Sequence, residues 1–319
     1  MLLSIIELVV GLGVLAWSAD RFVMGAASAA RSFGVSPLLV GMLIIGFGTS
    51  VPEMVVSAFA SAGGNPELAL GNAFGSNIAN IALILGITAL IGPVVVHRGI
   101  VRQEIPVLLV VTAFVMWLFR DHEMSTFDAV LLLVLFGLLL TWSIWNGIRN
   151  RDKELAEEVE KEVGEHPLSR RAALSWTFFG LAALVVSSHY LVRGAVGVAE
   201  AIGISDLVIG LTVVAVGTSL PELASAIAAT RHGESELVLG NIIGSCLFNA
   251  LAVVGIAGSI HPTVVDSNVL YRDLPVLLGV TVVLGLFGFR RKGNGRIGRP
   301  EGFLFLVMYF AYAVLLLAV

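Results

Sequence analysis

The sequence contains one 40-residue passage twice. Shifting the chain by 169 positions, without a gap, lays residues 48–87 on residues 217–256 with 17 identities in 40. "GTSVPE" (48–53) falls on "GTSLPE" (217–222), and "LALGNAFGSNIANIALILGI" (68–87) falls on "LVLGNIIGSCLFNALAVVGI" (237–256). Apolar composition alone matches Leu, Val and Ile. It does not match Gly, Thr, Ser, Pro, Glu and Asn in register. Any fold for this chain must therefore be built from two copies of one unit.

The copies lie in apolar sequence. Charged residues make up 13% of the 319, against roughly 25% in soluble domains, and mean hydropathy is +0.95. Apolar runs of roughly 20 residues, the length a helix needs to cross a bilayer, recur throughout. Ten spans are expected, near 2–22, 36–60, 67–92, 103–119, 126–148, 172–198, 206–230, 237–260, 269–289 and 302–318. Thirty-five glycines favour close helix packing and broken helices over simple anchors. The fold class implied is an all-α integral membrane protein. Residues 1–17 lack a basic region and carry Glu7, so they are expected to form the first span and not a cleaved signal. Cys246 is the only cysteine, which excludes an intrachain disulfide and leaves the redox compartment open.

The offset of 169 residues covers five of these spans. An odd number sends the two copies into the membrane from opposite faces. Ten helices then form two inverted five-helix repeats, 1–148 and 172–319, an arrangement found in many secondary transporters. Between them lies "RNRDKELAEEVEKEVGEHPLSRR" (149–171), the one clearly solvated segment, read as a surface helix or mobile linker. Its 23 residues are too few for a further folded domain. With the N-terminus outside, the inward connectors hold 16 of the 19 Lys and Arg residues; only Arg120, Arg193 and Arg272 lie on the other side. That bias places both termini outside the plasma (inner) membrane and the connector in the cytoplasm.

Two carboxylates stand out in this frame. Glu53 is the only charged side chain between Ser32 and Asn65, and Glu222 the only one between Leu207 and Thr230. A charge near the bilayer centre costs roughly 2.5–3.5 kcal/mol on insertion scales. One reading is a protonated acid bonded to a neighbouring helix. The other is that Glu53 and Glu222 face each other across a pseudo-two-fold axis and share a cation. Pro52 and Pro221 lack N–H groups, so the carbonyls of Gly48 and Gly217 lose their helical partners. A cation would satisfy them, as would a serine or water at an ordinary kink.

Helical spacing gathers more oxygen here. Thr49 lies four residues before Glu53, and Thr218 four before Glu222, on one face. Asn72, Ser76 and Asn80 form an i, i+4, i+8 row, and Asn241, Ser245 and Asn249 form its twin. Gly71, Gly75, Gly240 and Gly244 beside these rows are expected to let helices approach. Asn80 and Asn249 read either as ligands or as interhelical glue. Carboxylates, hydroxyls, amides and carbonyls suit Ca²⁺, Na⁺ or Mg²⁺; without clustered His or Cys, zinc and copper are disfavoured. His189 aligns with Asp20 and Cys246 with Asn77, and both are read as packing or helix-end groups. The five tryptophans fall near span ends, as interfacial anchors do.

The paired "GTSxPE" and "GNxxGSNIxN"-like segments resemble the two repeats of the calcium/cation antiporter superfamily. The best likeness is to the sodium/calcium exchanger type, in particular the short prokaryotic antiporters, and it covers essentially the whole chain. The resemblance implies that calcium and sodium compete for a midplane cluster within two motifs, 46–87 and 215–256. Carried over by position, Glu53 and Glu222 supply the carboxylates, and Thr49 and Thr218 supply backbone carbonyls at a central calcium site. Ser76 and Ser245 would belong to flanking sodium sites, with the carbonyls of Gly46 and Ala215 and the hydroxyls of Ser50 and Ser219. Asn80 and Asn249 would sit at the middle position. Many members carry aspartate where this chain has Asn249. An amide has nearly the shape of a neutral acid, but it cannot take or give a proton.

The reading is a secondary antiporter working by alternating access, not an enzyme. Its partners are calcium, sodium and the lipid bilayer; no cofactor, nucleic acid or protein partner is implied. Calcium/proton exchange, a passive cation channel and a non-transporting scaffold are the competing readings.

Overall fold

In the computed structural model residues 2–33, 37–149, 168–201, 215–289 and 294–317 are described. Among them eight helices are long and apolar enough to cross a membrane, and one pair bent by 42° makes a ninth, Leu38–Thr49 with Val51–Ala62. The expected seventh span, 206–230, begins outside the described residues; Ala215–Thr218 and Leu220–Arg231 form its remainder. Residues 150–167 of the expected connector also lie outside them. Phenylalanines 59 and 127 are 75% and 74% exposed. Large apolar surface of this kind marks a lipid-facing exterior.

The helices relevant below are α1 (Leu2–Phe33), α2 (Val51–Ala62), α3 (Pro66–Ile78), α4 (Leu85–Ile91), α5 (Ile105–Leu118), α6 (Thr126–Arg149) and α7 (Arg170–Ala201). They are followed by α8 (Leu220–Arg231), α9 (Ser235–Leu247), α10 (Val254–Ile260), α11 (Leu274–Gly288) and α12 (Arg299–Leu317). The repeat is legible in their bounds. α2, α3 and α4 recur as α8, α9 and α10 with both ends displaced by 169 residues. The π-helical stretches Ala79–Ile84 and Ile100–Glu104 recur in the same way as Phe248–Val253 and Val269–Asp273.

Local chemistry sets these ends. Asn65 Oδ1 accepts from the Leu68 N–H at 3.4 Å and caps α3, whose first residue is Pro66. The turn from α2 to α3 passes through Gly64 at φ +82°, and its counterpart from α8 to α9 through Gly233 at φ +75°. Left-handed backbone of this kind strains any residue with a Cβ, which explains a glycine at the same point of both copies.

The chain divides into two compact units. The first holds residues 1–49 and 142–241. Here α1 and α7 pack along their length, burying Phe22, Val23, Ala26 and Leu184. Trp17 meets Trp176 edge-on at 5.9 Å, and Arg193 pairs with Glu7 at 2.5 Å. Gly240 of α9 lies against the Leu38–Met42 backbone; a Cβ there would stand 2.5 Å from the Leu38 carbonyl oxygen. That close approach is the one expected of it. Gly71 and Gly75 differ, for a Cβ at either would meet nothing within 4 Å.

The second unit holds residues 50–141 and 242–319. Its core is Leu70, Phe74, Ile78, Ile81, Leu85, Leu108, Phe119 and Phe305, all at most 1% exposed. Two short antiparallel ribbons correct the all-α expectation: β1 (Val94–Val96) pairs with β4 (Gly295–Ile297), and β2 (Glu123–Met124) with β3 (Thr263–Val264). They occupy connectors between spans, where strand pairing satisfies backbone groups that have left their helices. At two or three residues per strand they are too short for a clear alternation in sequence.

Candidate cation site

The motif prolines end one helix and begin the next. Ser50 (φ −83°, ψ 0°) interrupts the first copy and Ser219 (φ −88°, ψ 7°) the second, and each proline follows in the first turn of α2 or α8. Proline is pre-organised for that place, because its missing N–H would be unsatisfied there in any case. Glu53 and Glu222 therefore stand in the first turns of α2 and α8, each 1% exposed. The N-terminal end of a helix favours negative charge. The sequence suggested a turn opened by the proline; in the structure a new helix starts there, which is a favourable seat for a buried carboxylate.

The first unit holds the expected residues Gly46, Thr49, Ala215, Thr218, Ser219 and Glu222, and Asn241 contacts two of them, Thr49 and Glu222. Thr49 Oγ1 lies 2.9 Å from the Ile45 carbonyl, 3.5 Å from that of Gly46 and 3.3 Å from Asn241 Oδ1. Asn241 Nδ2 donates to the backbone carbonyl of Glu222 at 3.2 Å. One buried amide thus ties Thr49 to the turn that carries Glu222. Ser219 is 5% exposed, and its Oγ has no hydrogen-bond partner among the described residues. Ala215 opens the short helix that ends at Thr218.

The carbonyl of Gly217, freed by Pro221, accepts a hydrogen bond from Ser188 Oγ of α7 at 3.3 Å. Serine repair, left open by the sequence, is therefore what occurs in the second copy. The residue equivalent to Ser188 is Ala19, which has no hydroxyl to offer. The two copies are unequal at this point.

In the second unit lie Ser50, Glu53, Ser76, Asn80, Ser245 and Asn249, none more than 5% exposed. Asn72 Nδ2 donates to Ser57 Oγ at 3.1 Å and reaches the Glu53 carbonyl at 3.5 Å. This is the counterpart of the Asn241–Glu222 tie. Asn80 and Asn249 sit in the π-helical stretches that follow α3 and α9. Such stretches often mark functional sites. Asn80 Oδ1 and both amide atoms of Asn249 have no hydrogen-bond partner among the described residues. Leaving a buried polar atom unmatched costs about 1–3 kcal/mol. Amide oxygens held in this way suit a hard cation, and no cluster of three His, Cys, Asp or Glu occurs among the described residues.

Three contributors went unrecognised in sequence. Asn72 and Asn241 stood in the polar rows, yet nothing there indicated that they bond to the glutamate backbone. Ser188 gave no signal, because its equivalent is alanine. Asn77 is fully buried, and its Nδ2 donates to the Cys246 carbonyl at 3.0 Å. His189, aligned with Asp20, is exposed and meets Tyr190 edge-on at 5.8 Å.

The two copies and their oxygen-lined half-sites can now be set beside known proteins. The pattern that defines the sodium/calcium exchanger proteins matches residues 3–145 and 172–318. The chain belongs to the sodium/calcium exchanger family. It is 38% identical to the inner membrane protein YrbG of Escherichia coli (strain K12), over 95% of this chain and 94% of that one. It is 29% identical to the sodium/calcium exchanger MaX1 of Methanosarcina acetivorans, over 97% of each. The solved structure of the sodium-calcium exchanger NCX_Mj, soaked with sodium and calcium, matches with a TM-score of 0.85 at 33% identity, over 98% of each chain. Family membership makes this a multi-pass membrane protein and an ion antiporter.

Proposed function

We propose that this exchanger moves calcium against sodium by alternating access, spanning the inner membrane ten times as two inverted five-helix repeats. Both termini lie outside and the central connector lies in the cytoplasm. The Lys and Arg bias supports that orientation, and the likeness to an Escherichia coli inner membrane protein supports the location. The repeated succession of elements at a 169-residue displacement supports two copies, and an odd number of spans in that displacement requires their inversion.

The observation that carries the ion reading is the duplicated buried glutamate. Glu53 and Glu222 each open a helix after a chain break, are 1% exposed, and have an asparagine bonded to their own carbonyl. We assign both carboxylates to one calcium ion, with backbone carbonyls of Thr49 and Thr218. Ser50, Ser76, Ser219 and Ser245, with the carbonyls of Gly46 and Ala215, serve sodium. Asn80 and Asn249 complete the middle position. α1 and α7, the first helices of the two halves, belong to the first unit and are assigned to the moving gate.

Charge then limits the exchange. Two carboxylates balance one Ca²⁺, and Asn249 adds no third charge. With more than two sodium ions per calcium, the number we assume, the exchange carries net current, and with no titrating group at Asn249 it has no obligatory proton. Calcium uptake into proteoliposomes tests this directly. It is expected to follow an imposed sodium gradient, fail with a pH gradient in sodium-free medium, and respond to membrane potential. Uptake driven by protons without sodium would establish calcium/proton exchange instead, and indifference to potential would refute the current.

A further inference from the structure

Away from both half-sites, a cavity of about 450 Å³ lies entirely within the second unit. Ile91, Gly92, Pro300 and Gly298 line it together with Arg296 and Arg299. The candidate spans Pro66–Ile91 and Arg299–Leu316 end at its wall, so it opens at the edge of the membrane. The β1–β4 ribbon explains why one arginine faces it. Val94, Val96 and Ile297 turn to the buried side, and Arg296, opposite Val95, is left exposed. The second arginine is held at the wall: Arg299 Nε donates to the Leu90 carbonyl at the end of α4, 3.2 Å away. The nearby acid, Glu301, is held by the wall's backbone, its Oε2 accepting from the Gly298 N–H at 2.9 Å. In sequence, Arg290, Arg291 and Lys292 precede the strand, and no acidic residue falls between 290 and 299.

Two guanidinium groups against a partly apolar wall, at the ends of two spans, suit a phosphodiester whose acyl chains continue into the bilayer. Arginine binds phosphate through a planar fork of donors. Basic pockets at the ends of spans are where anionic headgroups collect. We propose that this cavity is a binding site for the headgroup of an anionic phospholipid, with Arg296 and Arg299 taking the phosphate. A zwitterionic lipid carries the same phosphate but also a cation, which the two arginines repel.

The test is titration of phosphatidylglycerol and phosphatidylcholine onto the purified full-length chain in detergent, read by native mass spectrometry. Wild type is compared with Arg296→Gln and with the Arg296→Gln/Arg299→Gln double variant. Each arginine near a membrane surface contributes about fivefold to binding, and the pair about thirtyfold. The expected result is a loss of phosphatidylglycerol affinity near fivefold in the single and thirtyfold in the double variant, with phosphatidylcholine unchanged. Sodium-driven calcium uptake in phosphatidylcholine vesicles, equal to wild type, reports that the variants are folded. Equal phosphatidylglycerol binding by wild type and Arg296→Gln overturns the site, as does a parallel loss of phosphatidylcholine. Competition by millimolar inorganic phosphate would make it a site for soluble anions and overturn the lipid assignment.

Discussion

Asn77 and Cys246 hold the same position in the two copies, and they bond to each other. Asn77 Nδ2 donates to the Cys246 carbonyl at 3.0 Å, and Cys246 Sγ lies 3.7 Å from the Asn77 carbonyl in return. Reciprocal contact between equivalent positions is what a two-fold relation produces. Alanine at 77 removes the bond from Nδ2 to the Cys246 carbonyl, a loss of about 0.5–1.5 kcal/mol, the net worth of one hydrogen bond. Asn77→Ala is expected to lower the thermal unfolding midpoint in detergent. Cys246→Ser, which keeps a donor toward the Asn77 carbonyl, is expected to stay near wild type.

Asn241 makes two contacts through one amide, to Thr49 Oγ1 and to the Glu222 carbonyl. Asn241→Ala releases both and loosens the turn that presents Glu222. Loss of about 1.4 kcal/mol at the site corresponds to a tenfold weaker calcium affinity. The half-saturating calcium concentration for sodium-driven uptake is expected to rise by about that factor. An unchanged value would mean that the amide has no part in holding the site.

Ser188 caps the Gly217 carbonyl, and Ala19 leaves the first copy without that bond. Ser188→Ala should therefore lower stability by about 1 kcal/mol, the ordinary worth of a hydrogen bond, while Ala19→Ser should not. Chemical or thermal unfolding of the two variants, measured side by side, reads the asymmetry.

Asn249→Asp adds a titrating group at a buried position whose amide has no hydrogen-bond partner among the described residues. The neutral acid has nearly the shape of the amide, so at low pH the variant is expected to transport like wild type. As pH rises the acid ionises, and the variant's rate departs from wild type. A pH profile of uptake checks this: flat for wild type, sloping for Asn249→Asp.

How legible the protein was in its sequence depends on what each feature requires. The copies were legible because Gly64 and Gly233, Pro52 and Pro221, Glu53 and Glu222 are residue types that apolar composition does not supply by chance. Eight spans, and a ninth as a bent pair, were legible from hydropathy among the described residues. The interruptions before Pro52 and Pro221 were legible in the missing N–H groups; that a new helix starts there, at Val51 and Leu220, was not, since sequence does not say whether the helix before a proline continues. The π-helical stretches holding Asn80 and Asn249 were not read from the sequence, whose row of polar residues was laid on an uninterrupted α-helix. Gly71 and Gly75 had the spacing of packing glycines, but spacing cannot report what stands opposite. Ser188 acts across helices on a carbonyl, and one-sided contacts of that kind break the repeat instead of revealing it.

The central claim is that Glu53 and Glu222 together carry the transported charge. The measurement that meets it most directly is sodium-gradient-driven ⁴⁵Ca uptake into proteoliposomes for Glu53→Gln and Glu222→Gln, each with normal insertion and folding. Glutamine keeps the size and removes the charge, so calcium uptake is predicted to fall to background in both variants. Full uptake in both would contradict the account.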